Sequence, residues 1–176
     1  ESQNKNHMQI YGYPRNTTPK LQELLNNNEI IKFDNIYSNH THTMPVLSLA
    51  LTESSQYNNK SYFESASIVE IFNAANFETV WLTNQNLLGA WDNLVSIIAN
   101  QADTTIGINK NIGETTKTQK YDGDLINYLK KELDKKTSKN RVIFVHLILN
   151  LSYLLNLKEF FLLILNYFNF LHLLFH

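Results

Sequence analysis

Two short apolar runs, the first followed at once by the polar residues 83–86, constrain the fold of this chain more than any other feature. Residues 77–82 read FETVWL, and residues 141–147 read RVIFVHL. Runs of this length are typical of strands buried inside a parallel sheet. Helix-like segments lie before and between them, so strands and helices alternate along the chain. This alternation predicts an α/β fold, an α/β/α sandwich with a mostly parallel sheet.

The other segments predict further elements. Residues 1–20 are expected to form a loop, and residues 30–37 alternate well enough to predict another strand. A short helix is expected to begin at Pro19 with Thr18 as its N-cap, and to end at the three asparagines 26–28. Further helices are expected from Met44 onward and over residues 65–75, 88–100 and 125–136. The last of these is amphipathic, with an inward face of Leu125, Ile126, Tyr128, Leu129 and Leu133.

The composition excludes several classes of protein. Hydrophobic residues make up 43% of the 176 residues and charged residues 18%, which is enough apolar material for a folded core. The formal net charge is -1, so no basic patch predicts a nucleic-acid partner. The absence of cysteine excludes disulfides, thiolate metal sites and cysteine nucleophiles.

A polar cluster, Ser38–Thr43, stands directly before the apolar helix that begins at Met44. Thr43 has two interpretations. It is either a helix N-cap, the commonest role of a threonine in this place, or a nucleophile that a base or metal activates where a helix N-terminus favours an anion. His40 and His42 alternate and are expected to point to opposite sides of an extended segment. Either they are solvated loop residues or one of them contacts a phosphate or a metal.

The polar segments of the chain are expected to converge. In sheets of parallel strands, sites form in the loops at the carboxyl ends of the strands. Three segments follow predicted strands in this way: residues 38–43, residues 83–86 and the segment that begins at His146. The sequence therefore predicts that they share one edge of the sheet.

Five segments carry a resemblance to a known family over residues 1–147. They are ES…HMQIYGYPRNTTPKLQ, NIYSNHTHTMPVLSLALT, WLTNQNLLG, YDGDLINYL and VIFVHL, in this order. The set resembles the bacterial phosphoethanolamine transferases, membrane enzymes of the alkaline phosphatase and sulfatase superfamily with a zinc-dependent periplasmic domain. The opening segment together with SNHTHT is its most specific part.

The resemblance implies a role for several residues. Thr43 is similar to the nucleophile that takes phosphoethanolamine from phosphatidylethanolamine and passes it to lipid A or the core sugars of lipopolysaccharide. Glu1 and Thr43 are similar to ligands of the catalytic Zn²⁺. Asn84 and Gln85 correspond to a loop that lines the substrate pocket, and His146 resembles the first histidine of an H-x-x-G-S-H segment. The implied location is the periplasmic face of the bacterial inner membrane.

The chain departs from the family pattern in three ways. The strand and the transmembrane helices that the family places before Glu1 are not part of the printed sequence, so we expect Glu1 to be an internal point of a longer protein. Residues 148–150 are Ile-Leu-Asn where the family has a Gly-Ser-His segment, and residues 148–176 do not contain the family's late Asp-His pair of the zinc site. We therefore expect residues 1–147 to be an incomplete, inactive part of the catalytic domain. Residues 148–176 are expected to be an aberrant hydrophobic tail, hypothetically a frameshift product, and are marginal as a membrane span.

Two other functions remain open from the sequence. One is a hydrolase of the sulfatase or phosphodiesterase type, which would release its product to water. The other is a non-catalytic, membrane-associated protein in which the apolar tail docks on a membrane or a partner.

Overall fold

The computed structural model describes residues 4–85, 93–109 and 120–147. The chain divides into two compact units, and their described parts are residues 4–37 and residues 38–147. Glu1 and the tail from residue 148, on which several predictions fall, lie outside the described residues. None of the described helices is long and apolar enough to cross a membrane.

The N-terminal unit contains one α-helix, α1, over Pro19–Asn26, preceded by two 3-10 turns within the predicted loop at Lys5–His7 and Gln9–Tyr11. Pro19 occupies the first helical position, as predicted. Thr18 is the N-cap residue of α1, as predicted, but its side chain makes no capping hydrogen bond to the helix. Its hydroxyl instead accepts a hydrogen bond of 3.2 Å from the backbone N–H of Ile10.

The prediction of a strand over residues 30–37 is wrong, because this segment is irregular. Its backbone carbonyls accept from side chains rather than from a neighbouring strand. Lys5 Nζ donates to the carbonyl of Asp34 across 3.1 Å, and the Tyr11 hydroxyl donates to that of Phe33 across 3.2 Å. The alternating apolar residues are not buried, since Ile31 is 81% exposed and Phe33 61%.

The second unit alternates helices and strands. Its elements are α2 (Thr43–Ala50), α3 (Ile68–Ala74), β1 (Glu78–Thr83), α4 (Asn93–Asn100), β2 (Thr104–Gly107), α5 (Leu125–Asp134) and β3 (Arg141–His146). The three strands form a sheet in the order β2-β1-β3, and both strand pairs are parallel. The predicted parallel sheet and its two apolar strands are therefore confirmed.

β1 is the central strand of the described sheet. Residues Thr79–Thr83 are all buried, whereas β3 is half-buried along its whole length. The short strand β2, with the sequence TTIG, was not predicted. Four residues with one large apolar side chain give too weak a pattern, and pairing with β1 from Val80 to Thr83 is what forms the strand.

Helices cover both faces of the sheet. Trp81 belongs to a buried cluster with Val69 of α3 and with Leu94, Val95, Ile98 and Ala99 of α4, and Met44 and Leu47 of α2 pack against it. Successive side chains of a strand point to opposite faces, so Val80 and Leu82 face away from this cluster. On that side α5 contacts β1 and buries Leu125, Ile126 and Leu129. The α/β/α layering agrees with the sequence prediction.

α3 and α5 are shorter than predicted, and α5 ends at Asp134 rather than at residue 136. α3 begins three residues later than expected because Ser67 caps it. The Ser67 hydroxyl accepts from the N–H of Glu70 across 3.2 Å, and the Glu70 carboxylate accepts from the N–H of Ser67 across 2.8 Å. Of the helix predicted over residues 88–100, the structure describes α4 from Asn93 onward. Residues 88–92 lie outside the described residues.

Candidate functional site

Thr43 is the first residue of α2, and its side chain is half-buried. The N-cap position belongs to His42, which has the extended backbone conformation typical of that position. The N-cap interpretation of Thr43 is therefore wrong by one residue. Thr43 instead lies in the first turn, where backbone N–H groups and the helix dipole favour a negatively charged group.

Packing and hydrogen bonds hold α2 in place. Met44 and Leu47 pack against the cluster around Trp81. Beyond the helix, the N–H of Ile68 donates to the carbonyl of Leu51 across 2.8 Å, so the end of α2 is fixed to the start of α3. Thr43 is thus presented by a helix that packs on the Trp81 cluster and is hydrogen-bonded to α3 at its far end.

The loop before α2 is organised by its own polar side chains. The N–H of His42 lies 3.3 Å from Nδ1 of His40, and the Thr41 hydroxyl lies 3.0 Å from Nδ1 of His42. The two imidazole rings are 5.8 Å apart between centroids, so the prediction that they point to opposite sides is wrong. Both histidines are exposed, which leaves them accessible to a ligand next to Thr43.

Two of the three segments predicted to share the carboxyl edge of the sheet meet there, namely the segment after β1 and the end of β3. Residues 38–43 do not follow a strand, because residues 30–37 form none. Thr83 pairs with His146, and the N–H of Asn84 donates to the carbonyl of His146 across 3.4 Å. The His146 ring packs edge-on against Trp81, with 6.2 Å between the ring centroids. His146 therefore lies on the face of the sheet that carries the Trp81 cluster and, with it, α2.

Asn84 is directed into the protein rather than toward solvent. Its side chain is 1% exposed and donates through Nδ2 to the Asp122 carboxylate across 2.6 Å. Its carbonyl accepts from Nδ2 of Asn109 across 2.7 Å. The adjacent Gln85 is half-buried, and its N–H donates to the Thr83 hydroxyl across 2.9 Å. Neither Asp122 nor Asn109 was predicted to contact Asn84, because nothing local marks partners 38 and 25 residues away.

The described residues do not by themselves fit a catalytic zinc ion. Among residues 4–85, 93–109 and 120–147, no three histidine, aspartate or glutamate side chains lie close enough together to hold a metal. Structural and catalytic zinc sites in proteins use three or four such ligands. Of the two predicted ligands, Thr43 is described and Glu1 is not, so any complete site draws on residues beyond the described ones.

The chain is similar to known proteins over most of its length. Residues 1–150 match the sulfatase family. The chain is 28% identical over 149 residues to the phosphoethanolamine transferase EptC of Escherichia coli K12, and 29% identical to the phosphoethanolamine transferase CptA of Salmonella typhimurium. Each alignment covers 84% of this chain and 25% of the relative, so the chain spans about a quarter of the length of these curated relatives.

A solved structure matches the described fold. The C-terminal periplasmic domain of E. coli EptC, in a complex with Zn, superimposes with a TM-score of 0.72 at 28% identity. The match covers 84% of this chain and 41% of that domain. The parallel sheet with flanking helices therefore corresponds to part of an alkaline phosphatase-like α/β fold.

Proposed function

Because the chain belongs to the sulfatase family, we propose that residues 1–147 are the nucleophile-bearing part of a phosphoethanolamine transferase. The donor is phosphatidylethanolamine, and the acceptor is lipid A or the lipopolysaccharide core. The reaction takes place at the periplasmic face of the bacterial inner membrane. The proposal is supported by the two named transferases that the chain resembles and by the similarity to a zinc-containing periplasmic domain.

The observation that carries the proposal is the position of Thr43 as the first residue of α2, half-buried next to the exposed His42. In the first step Oγ of Thr43 bonds to phosphorus, the bond from phosphorus to the diacylglycerol oxygen breaks, and that oxygen takes the hydroxyl proton. In the second step the oxygen of an acceptor hydroxyl bonds to phosphorus, the bond from phosphorus to Oγ of Thr43 breaks, and the acceptor's hydroxyl proton passes to Oγ. The N–H groups of the first turn stabilise the phosphoryl charge in both steps.

His146 and Gln85 are proposed to contact the substrate, whereas Asn84 fixes their positions. The Trp81 cluster links the two halves of this site. Met44, next to Thr43, packs against the cluster, and the His146 ring packs against Trp81 itself. A phosphoryl group on Thr43 would therefore lie on the same face of the sheet as the imidazole.

We assign no step to a metal, because the described residues lack a set of three ligands. Residues 148–150 are Ile-Leu-Asn in place of the Gly-Ser-His segment expected from the resemblance. This chain alone is therefore proposed to bind zinc weakly and to form no stable phospho-threonine. Incubation with labelled phosphatidylethanolamine and zinc tests this, and stable label on Thr43 would refute it.

A hybrid enzyme tests the function itself. Residues 1–147 replace the matching segment of E. coli EptC, and transfer of phosphoethanolamine to lipopolysaccharide is measured in cells without their own enzyme. We expect transfer by the hybrid, none after Thr43→Ala, and reduced transfer after Thr43→Ser, which keeps a hydroxyl. Thr41→Ala is the matched control, because Thr41 is an exposed threonine of the same loop.

Four results would contradict the proposal. A folded hybrid without transfer would remove its basis, as would full transfer after Thr43→Ala. Release of free phosphoethanolamine without transfer would favour the hydrolase. Flotation of the original chain with liposomes that depends on residues 160–176 and not on Thr43 would favour the non-catalytic membrane protein.

A further inference from the structure

Asn84 is the residue at which three segments of the second unit meet. Its N–H reaches the carbonyl of His146 at the end of β3, and its carbonyl accepts from Asn109, which follows β2. Its side chain donates to Asp122 in the turn before α5. With 1% of its surface exposed, Asn84 makes all three contacts inside the protein.

The contact with Asp122 is the strongest of the three in physical terms. The distance from Nδ2 of Asn84 to Oδ1 of Asp122 is 2.6 Å. Hydrogen bonds to an ionised acceptor are shorter and stronger than neutral ones, and a buried amide left without its acceptor is destabilising. Asp122 is itself held in place, because the N–H of Tyr121 donates to Asp124 across 2.7 Å and α5 begins immediately with the buried Leu125.

Asn109 extends the network to a second segment. Its Oδ1 accepts from the N–H of Lys120 across 2.8 Å, and its Nδ2 donates to the Lys120 carbonyl across 2.9 Å. The same Nδ2 donates to the carbonyl of Asn84. One asparagine side chain thus joins the chain on both sides of residues 110–119 to the end of β1.

We infer that Asp122 is a positioning residue that acts through Asn84 to fix the carboxyl edge of the sheet. Gln85 directly follows Asn84, and the carbonyl of His146 accepts a hydrogen bond from the N–H of Asn84. The Asp122 carboxylate therefore sets the place of both residues without contacting a substrate. Their use in binding substrate rests on the proposed function, but the placement of the two residues does not.

Reciprocal substitutions separate this role from a general contribution to stability. Asp122→Ala removes the acceptor, Asp122→Asn keeps a neutral acceptor, and Asn84→Asp brings two carboxylates together. In the double variant Asn84→Asp with Asp122→Asn, donor and acceptor exchange places and the hydrogen bond is restored. Only a direct bond between the two side chains predicts recovery in the double variant.

Amide hydrogen exchange of the full chain measures the effect at the residues concerned. After Asp122→Ala or Asn84→Asp, we expect amide exchange at residues 84 and 85 to accelerate at least about tenfold relative to exchange at Val80. This factor corresponds to the local stabilisation that is lost with a hydrogen bond to a charged acceptor. Asp122→Asn and the double variant should remain within about threefold of the parent chain, since each keeps a hydrogen bond.

Equal acceleration at every amide, or no recovery in the double variant, would overturn the inference. If a single variant does not fold, the folded double variant is decisive. In the hybrid enzyme, Asp122→Ala should raise KM for the donor more than it lowers kcat, and the double variant should reverse this. An inactive hybrid with the exchange pattern intact would refute the proposed function and leave the positioning role standing.

Discussion

Thr83 and His146 occupy paired positions at the carboxyl ends of two neighbouring parallel strands. This pairing brings together two parts of the chain that are 63 positions apart. The N–H of Asn84, the residue after Thr83, donates a hydrogen bond to the carbonyl of His146. The polar residues at this edge therefore owe their proximity to the sheet and not to any local motif.

Two neighbouring isoleucines of α4 test how the helix packs on the sheet. Ile98 is 2% exposed within the Trp81 cluster, whereas Ile97 is 53% exposed. We expect Ile98→Ala to lower the free energy of unfolding by about 2–5 kcal/mol, because it leaves a cavity. Ile97→Ala, the matched control, should cost less than about 0.5 kcal/mol. Similar losses for both variants in urea unfolding would contradict the described orientation of α4.

The ion pair between Glu78 and Arg141 should make stability depend on pH. The hydrogen bond from Arg141, 2.8 Å long, and a second from Thr137 hold the pKa of Glu78 below its ordinary value of 4.5. The folded chain thus binds this proton less readily than the unfolded chain. The stabilisation is complete above the unfolded pKa and is lost as the pH falls through the lower folded value.

Glu78→Gln removes this charge. We expect the free energy of unfolding of this variant at pH 7 to be about 1 kcal/mol lower than that of the parent chain. This difference should shrink as the pH falls below 4.5. Glu53→Gln is the control, because Glu53 and Lys60 form an exposed pair. Urea unfolding at several pH values checks both variants, and a difference that stays constant down to pH 3 would be evidence against the ion pair as its cause.

The cap of α3 has a measurable value. Ser67→Ala removes the hydroxyl that accepts from Glu70 and also donates to Gln101 across 2.6 Å. We expect a loss of about 0.5–2 kcal/mol in the free energy of unfolding. The nearby Ser65→Ala, whose hydroxyl bonds the carbonyl of Ser61, should cost less. A larger loss in the free energy of unfolding for Ser65→Ala than for Ser67→Ala would contradict the assignment of Ser67 as the cap of α3.

The sequence predicted the central elements of the fold and missed those that tertiary contacts decide. β1 and β3 were predictable because a buried parallel strand needs a continuous apolar run. β2 carries no such run and exists through its pairing with β1. Residues 30–37 alternate like a strand but form none, since side chains of Lys5 and Tyr11 take up their carbonyls.

The site was predictable to a similar degree. Asn84, Gln85 and His146 lie at strand ends, as predicted, because the order of elements fixes those positions. Thr43 lies one residue inside the helix that it was expected to precede, and no strand leads to it. Their environment was not predictable. That Asn84 is buried against Asp122, and that His40 and His42 lie close together, depends on contacts that no local pattern records.

The tail from residue 148 leads to a prediction about the gene. The match to the sulfatase family ends at residue 150, close to the change in composition. We propose that a frameshift near codon 148 produced residues 148–176. Reading the other two frames of the DNA should restore a Gly-Ser-His segment and, further on, an Arg-Tyr-Pro segment. If neither frame contains them, the tail is encoded as it stands.

Peptide mapping of the hybrid enzyme by mass spectrometry tests the central claim most directly. The hybrid is incubated with phosphatidylethanolamine and no acceptor, so that a covalent intermediate accumulates. We expect a phosphoethanolamine group on the peptide that contains Thr43, localised to that residue and absent after Thr43→Ala. An adduct on another residue, or transfer that continues without any adduct on Thr43, would show that this threonine is not the nucleophile.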